Sequence, residues 1–78
     1  MGKRDKEFYE KQIKFYMRQI EFDSHSIEHC NRMMKYEKSY YGLETVEYDK
    51  LKKERAKHYR ERRHNKKQLE KYQKLATV

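Results

Sequence analysis

Apolar side chains recur at seven-residue intervals along the first half of the chain. Five consecutive seven-residue units fill residues 4–38 without an insertion. One apolar column contains Ile13, Ile20, Ile27 and Met34, and the other contains Tyr9, Tyr16 and Cys30, with Asp23 and Glu37 as its polar exceptions. The columns alternate at spacings of three and four, which is typical of α-helices that pack along a continuous seam. The pattern predicts a helix over about residues 5–41, with residues 1–4 as a frayed tail.

Polar residues interrupt this pattern near its middle. Asp23, Ser24, His25 and Ser26 form helices poorly, and aspartate and serine favour helix ends. A break near Ser24 is therefore one alternative. The seven-residue phase nevertheless continues unchanged through this stretch, which favours one continuous helix.

A short connection separates this helix from a second one. Gly42 is the only internal glycine, and it suits a left-handed helix C-terminal cap with Leu43 packing back on the helix. Thr45 suits the N-cap of the next helix, whose first turn holds acidic residues. The sequence predicts a turn over residues 42–45 and a second helix over about residues 46–75. Residues 1–78 then form a single all-α domain, an antiparallel two-helix hairpin with coiled-coil-like packing.

The second helix repeats the three-and-four spacing in a more polar form. Its predicted seam contains Tyr48, Leu51, Arg55, His58, Arg62, Asn65, Leu69, Tyr72 and Ala76. Closing the turn pairs Tyr16 with Tyr72 at the open end of the hairpin, where the seam is apolar. Nearer the middle it pairs Asp23 with Asn65, so the hairpin has a polar centre.

Two arginines of this seam would face apolar residues of the first helix. Arg55 would meet Met34, and Arg62 would meet Ile27. A tight two-helix seam disfavours these pairs because burying an unpaired charge is costly. Either the guanidinium groups extend outward along the helix surface, or the middle of the hairpin opens toward a partner.

A third column of the first helix is aromatic and lies outside the seam. We call it the aromatic stripe: Phe8, Phe15, Phe22 and Tyr36. One antiparallel partner helix cannot cover both the seam and this stripe. A second copy of the chain would cover it, so the sequence predicts a homodimer that forms a four-helix bundle, with the stripe as the interface.

Charge is concentrated on the second helix. The formal net charge is +8, and 44% of the residues are charged. Basic residues on the side opposite the predicted seam form what we call the basic face: Lys50, Lys53, Lys57, Arg60, Arg63, His64, Lys67, Lys71 and Lys74. Repeated cations along a straight edge suit phosphate oxygens of DNA or RNA. A purely solvated face and docking on an acidic protein surface are the alternatives.

The sequence offers weak candidates for metal chemistry and none for catalysis. His25 and His29 have the i,i+4 spacing of a helical metal pair, Cys30 follows directly, and His58 would arrive opposite Cys30. These side chains point in different directions around the helix, so we expect no metal site. No nucleophile–base arrangement in a cleft, glycine-rich phosphate loop or cofactor motif is present, and we expect neither enzymatic activity nor a cofactor.

The sequence therefore predicts a small, basic, non-enzymatic protein that binds the nucleic-acid backbone through its second helix. The alternative is a protein-interaction module, a small adaptor or inhibitor that docks a helical face on a larger partner, for example one that handles nucleic acid. A membrane partner is not expected, because the basic helix has no continuous apolar face to insert. The single cysteine fits a reducing cytoplasm, or the nucleoid or nucleus if nucleic acid is bound.

Overall fold

The chain forms two long helices that pack against each other. A computed structural model describes residues 2–77, with side chains from residue 5 onward. Helix α1 is Gly2–Tyr41 and helix α2 is Val46–Thr77. They form an antiparallel rod with dimensions of 59 × 14 × 14 Å. The predicted all-α class and helical hairpin are confirmed.

The helices extend beyond the ends predicted from the pattern. Helix α1 begins at Gly2, so residues 2–4 continue the helix where a frayed tail was expected, and Met1 lies outside the described residues. It is continuous through Ser24, so the predicted uninterrupted helix is confirmed and the alternative break does not occur. Helix α2 ends at Thr77, whose hydroxyl donates to the Lys74 carbonyl at 3.0 Å.

The turn is built from complementary helix caps. Gly42 has φ of 70°, and its N–H donates to the Lys38 carbonyl at 2.9 Å, which closes α1 in the left-handed conformation. The Thr45 hydroxyl accepts from the Tyr48 N–H at 3.1 Å and donates to the Glu37 carboxylate at 3.2 Å. Both predicted caps are thus confirmed. The expected packing of Leu43 is not, because this side chain remains 61% exposed.

The predicted seam separates covered from exposed side chains. On α1 the buried hydrophobic residues are Ile27, Cys30 and Met34, and the buried polar residue is Asp23. On α2 none of the described residues is fully buried, and all the predicted seam residues are half-buried. A pair of helices encloses only a narrow apolar strip, so the core of the monomer is small.

Opposing side chains interdigitate along the seam. The Tyr72 ring lies between Tyr16, stacked at a centroid distance of 5.8 Å, and Tyr9, at 6.0 Å. The predicted contact of Tyr16 with Tyr72 is confirmed. Tyr72 nevertheless contacts two residues of the other helix, rather than the single opposite residue that closing the turn suggested.

Neither described helix has an apolar segment of the length and hydrophobicity that crosses a bilayer.

Candidate functional site

A cluster of polar side chains is enclosed at the middle of the helix pair. Asp23 is only 2% exposed, and its Oδ2 accepts a hydrogen bond from Asn65 Nδ2 at 2.9 Å. Its Oδ1 lies 3.2 Å from His58 Nδ1. Glu61 Oε2 lies 3.6 Å from the same nitrogen. We call Asp23, His58, Glu61 and Asn65 the buried polar cluster.

The cluster has one covered side and one side open to water. The ring of Phe22 lies edge-on to His58 at a centroid distance of 6.0 Å, and the His58 side chain is 12% exposed. Glu61 is 44% exposed and is the member that reaches solvent. In the described part of the chain, every buried side-chain nitrogen or oxygen has a hydrogen-bond partner. The enclosed polar groups are therefore satisfied without opening the hairpin.

The two seam arginines extend outward to polar partners on α1. Arg55 Nη1 donates to Asn31 Oδ1 at 2.7 Å, and Arg62 Nη1 donates to Ser24 Oγ at 3.2 Å. The Arg62 guanidinium also lies 5.2 Å from the centroid of the Tyr59 ring. This arrangement corresponds to the first of the two alternatives, in which the aliphatic stems stay in the seam and the charges lie at its edge.

The sequence-derived metal candidates are not brought together. His25 and His29 are exposed, and His25 Nε2 lies 3.8 Å from the equally exposed Glu21. The Nδ1 atom of His58 lies 3.2 Å from Asp23 Oδ1, a contact that the sequence pattern did not predict. Among the described residues, the imidazole and carboxylate atoms that converge belong to Asp23, His58 and Glu61.

Cys30 is buried in the seam between the helices. Burial raises the pKa of its thiol above the ordinary value of 9.0, the Glu54 carboxylate raises it further, and the Arg55 guanidinium partly opposes both. The thiol is therefore neutral at physiological pH, and a neutral thiol is a poor nucleophile and metal ligand.

The basic face lies on the outer side of α2. All nine of its side chains are exposed. Within the described residues, Lys50 is the only member within 4.0 Å of a carboxylate, lying 3.5 Å from Glu47. The Lys71 ammonium lies 5.7 Å from the centroid of the Tyr72 ring. The face therefore presents a row of cations, most of which have no nearby anion to neutralise them.

The aromatic stripe is half-exposed along α1. The exposed fractions are 50% for Phe8, 51% for Phe15, 59% for Phe22 and 56% for Tyr36. Phe8 contacts Tyr72 at a centroid distance of 6.2 Å, and Phe22 contacts His58. Phe8 and Phe22 thus cover the edge of the seam with one side of the ring and face solvent with the other, whereas Phe15 and Tyr36 contact Tyr16 and Tyr40 of α1 itself.

The basic face and the aromatic stripe point in different directions. At about 100° of rotation per residue, the basic face lies roughly opposite the seam of α2. The stripe lies about 130° from the centre of the seam of α1. A partner on one surface therefore leaves the other accessible.

Comparisons with known proteins add no family to this description. No protein-family model, curated protein or solved structure matches the chain.

Sequence reasoning missed the buried polar cluster as a unit. The sequence pattern predicts Asp23 opposite Asn65 and His58 opposite Cys30, and it gives no partner for Glu61. Knobs-into-holes packing supplies the missing signal, because a seam residue inserts between two seam residues of the facing helix. Asp23 inserts between His58 and Asn65, and Glu61 follows His58 by three residues on the same side of α2.

Proposed function

We propose that this chain is a non-enzymatic nucleic-acid-binding protein that contacts the phosphate backbone of DNA or RNA through the basic face of α2. The observation that carries this proposal is the exposure of all nine basic-face side chains along one side of a continuous helix. Helix α1 covers the opposite side of α2, so the hairpin presents these cations outward.

The dimensions of the basic face suit a nucleic-acid backbone. From Lys50 to Lys74 the helix rises about 36 Å at ~1.5 Å per residue, which is close to the ~34 Å of one turn of B-DNA. Lysine and arginine donors repeated along this length can contact successive phosphates. Phosphate contacts carry no sequence information directly, so we propose binding that depends weakly on sequence.

The distribution of acidic residues favours this function over a merely solvated surface. Glu47, Glu54 and Glu61 follow each other at intervals of seven on the flank of α2, and the basic face contains no acidic residue. A surface that serves only solubility usually mixes both signs. An acidic protein surface as the partner remains an outcome of the binding experiment.

We further propose that two copies of the chain associate through the aromatic stripe into a four-helix bundle. The monomer buries only Ile27, Cys30 and Met34 among its described hydrophobic residues, while four aromatic rings of one column stay about half-exposed. Covering these rings by a second copy would enlarge a small core. The basic faces would remain outside the bundle, one for each copy.

Fluorescence anisotropy with a labelled generic DNA duplex and a labelled RNA hairpin tests the function. We expect binding at ~50 mM salt whose affinity falls steeply as the salt concentration rises, because bound counterions are released. A double change of Lys57 and Arg60 to alanine should lower the slope of log affinity against log salt by about two if each contacts one phosphate.

A matched pair of charge-reversal variants distinguishes the contribution of the basic face to binding from that of the net charge. The test variant changes Lys53, Lys57, Arg60 and Lys67 to glutamate, and the control changes the exposed α1 residues Lys14, Arg18, Arg32 and Lys35 to glutamate. Each change replaces one positive charge with one negative charge and lowers the net charge by two, so four changes lower the formal net charge of both variants from +8 to zero. We expect binding to be lost in the first and largely kept in the second. Equal loss in both variants would reject the basic face as the binding surface, and no binding by the unmodified chain would favour a protein partner.

A further inference from the structure

The buried polar cluster contains a set of atoms arranged as metal ligands. Asp23 Oδ1, His58 Nδ1 and a Glu61 carboxylate oxygen all lie within 4.8 Å of one another. We propose that Asp23, His58 and Glu61 form a binding site for a divalent transition cation of the zinc type. The site joins α1 to α2, so the cation would link the two helices of the hairpin.

The spacing of the ligand atoms fits a tetrahedral cation. Ligand atoms at about 2.1 Å from Zn²⁺ in tetrahedral geometry are about 3.4 Å from each other. The distances from His58 Nδ1 are 3.2 Å to Asp23 Oδ1 and 3.6 Å to Glu61 Oε2, on either side of this value. Glu61 is part-exposed and has rotatable bonds, so it can close the remaining gap without moving a helix.

The surroundings of the cluster are those of a supported metal site. Asn65 donates to the second oxygen of Asp23, which leaves Oδ1 free to coordinate and fixes the plane of the carboxylate. Phe22 packs against the His58 ring and shields that side from water. The part-exposed Glu61 lies at the side of the cluster that is open to solvent, through which the cation would enter. A water molecule would complete the coordination of the cation.

The donor set selects the class of cation. An imidazole nitrogen with two carboxylates suits Zn²⁺ and Co²⁺, whereas Mg²⁺ and Ca²⁺ favour oxygen ligands alone. Two carboxylates and one neutral imidazole carry a charge of about −2, which a divalent cation neutralises within a largely enclosed site. The cation would take the position of the hydrogen between His58 Nδ1 and Asp23.

Calorimetric titration of the chelator-treated protein with ZnCl₂ tests the site. We expect one Zn²⁺ per chain and a raised melting temperature, because a ligand that binds only the folded state stabilises it. Titration with MgCl₂ should give neither effect. Co²⁺ should produce a visible absorption band without an intense ultraviolet thiolate band, because Cys30 is not a ligand. A thiolate band, an equal response to Mg²⁺, or no Zn²⁺ binding at ~100 µM would overturn the proposal.

A near-isosteric variant and two controls locate the cation. Glu61→Gln keeps the contacts of Asp23 with His58 and Asn65, and we expect it to weaken Zn²⁺ binding about tenfold or more. Glu54→Gln lies one heptad earlier on the same flank, and the double variant His25→Gln/His29→Gln removes the exposed histidine pair. Both should bind Zn²⁺ within about twofold of the unmodified chain. Loss of binding in either control, or full binding by Glu61→Gln, would overturn the proposed site.

Discussion

Asp23 Oδ1 on α1 and His58 Nδ1 on α2 lie 3.2 Å apart across the middle of the helix pair. This contact and the hydrogen bond from Asn65 hold the carboxylate between two polar residues of the facing seam. A slip of one heptad would place Asp23 next to Leu51 or Tyr72 in place of one of these partners. The contact therefore favours a single alignment of two helices whose apolar columns are otherwise similar from heptad to heptad.

The first prediction concerns the free energy of unfolding of an Asp23→Ala variant. The change leaves His58 and Asn65 without their shared acceptor, and we expect a loss of about 2–4 kcal/mol in urea denaturation. Glu28→Ala, at an exposed position one turn further along α1, should change stability by less than about 0.5 kcal/mol. Similar effects of the two substitutions would contradict the role assigned to the cluster.

Cys30 gives a prediction for alkaline solution. Burial, together with Glu54, raises the pKa of this thiol in the folded chain above 9.0. As the pH rises past about 9, the unfolded chain releases the thiol proton while the folded chain retains it, so the free energy of unfolding falls. This contribution is fully present below pH 9 and is lost as the pH rises through the raised pKa.

Urea denaturation between about pH 8 and pH 10 measures this effect by comparison with Cys30→Ala. The tyrosines titrate in both proteins, so the difference between the two pH profiles reports the thiol. We expect the unmodified chain to lose stability more steeply with pH than the variant. Parallel profiles would show that the thiol is no harder to ionise in the folded chain than in the unfolded one.

The turn gives a prediction about backbone conformation. Gly42 has φ of 70°, and a Cβ atom added there would meet nothing within 4 Å. Gly42→Ala therefore causes no clash with neighbouring residues, and its cost comes from the left-handed backbone conformation. We expect about 1 kcal/mol of destabilisation. Gly42→Asn should cost less, because asparagine adopts the left-handed conformation more readily. Thermal denaturation checks both variants, and equal stability of Gly42→Ala and the unmodified chain would contradict the prediction.

The aromatic stripe gives a prediction about oligomeric state. Light scattering coupled to size exclusion at about 50 µM should report a mass twice the 9.9 kDa of one chain. A double change of Phe15 and Phe22 to glutamate should give a folded monomer, because it introduces charge at the middle of the proposed interface. Met17→Glu, at an exposed α1 position outside the stripe, should remain dimeric. A folded monomer formed by the unmodified chain would refute dimerisation.

Much of the hairpin follows from local chemistry. The seven-residue columns assign Ile27, Cys30 and Met34 to the covered side of α1 because helical periodicity depends only on sequence spacing. Gly42 and Thr45 mark the turn because their conformational and hydrogen-bonding preferences act within a few residues. The outward position of the basic face follows from the same spacing.

The ends of the helices and the contacts between distant residues are harder to predict from the sequence. Residues 2–4 precede Phe8 and Tyr9, the first apolar members of the repeat, so the pattern gave no reason to extend α1 to Gly2. Leu43 was expected to pack on α1, but the cap closes through backbone atoms and needs no such contact. Arg55 and Arg62 had two possible directions, and the polar groups of Asn31 and Ser24 at the seam edge provide the hydrogen-bond acceptors.

The sequence by itself determined two antiparallel helices, the face that each one covers, and the separation of basic and aromatic surfaces, because these depend on spacing and local caps. Only the tertiary structure decided that Asp23 meets both His58 and Asn65, with Glu61 beside them. Which residues meet depends on how side chains from distant parts of the chain interlock. This interlocking shifts each contact by a fraction of a heptad from the pair expected on closing the turn.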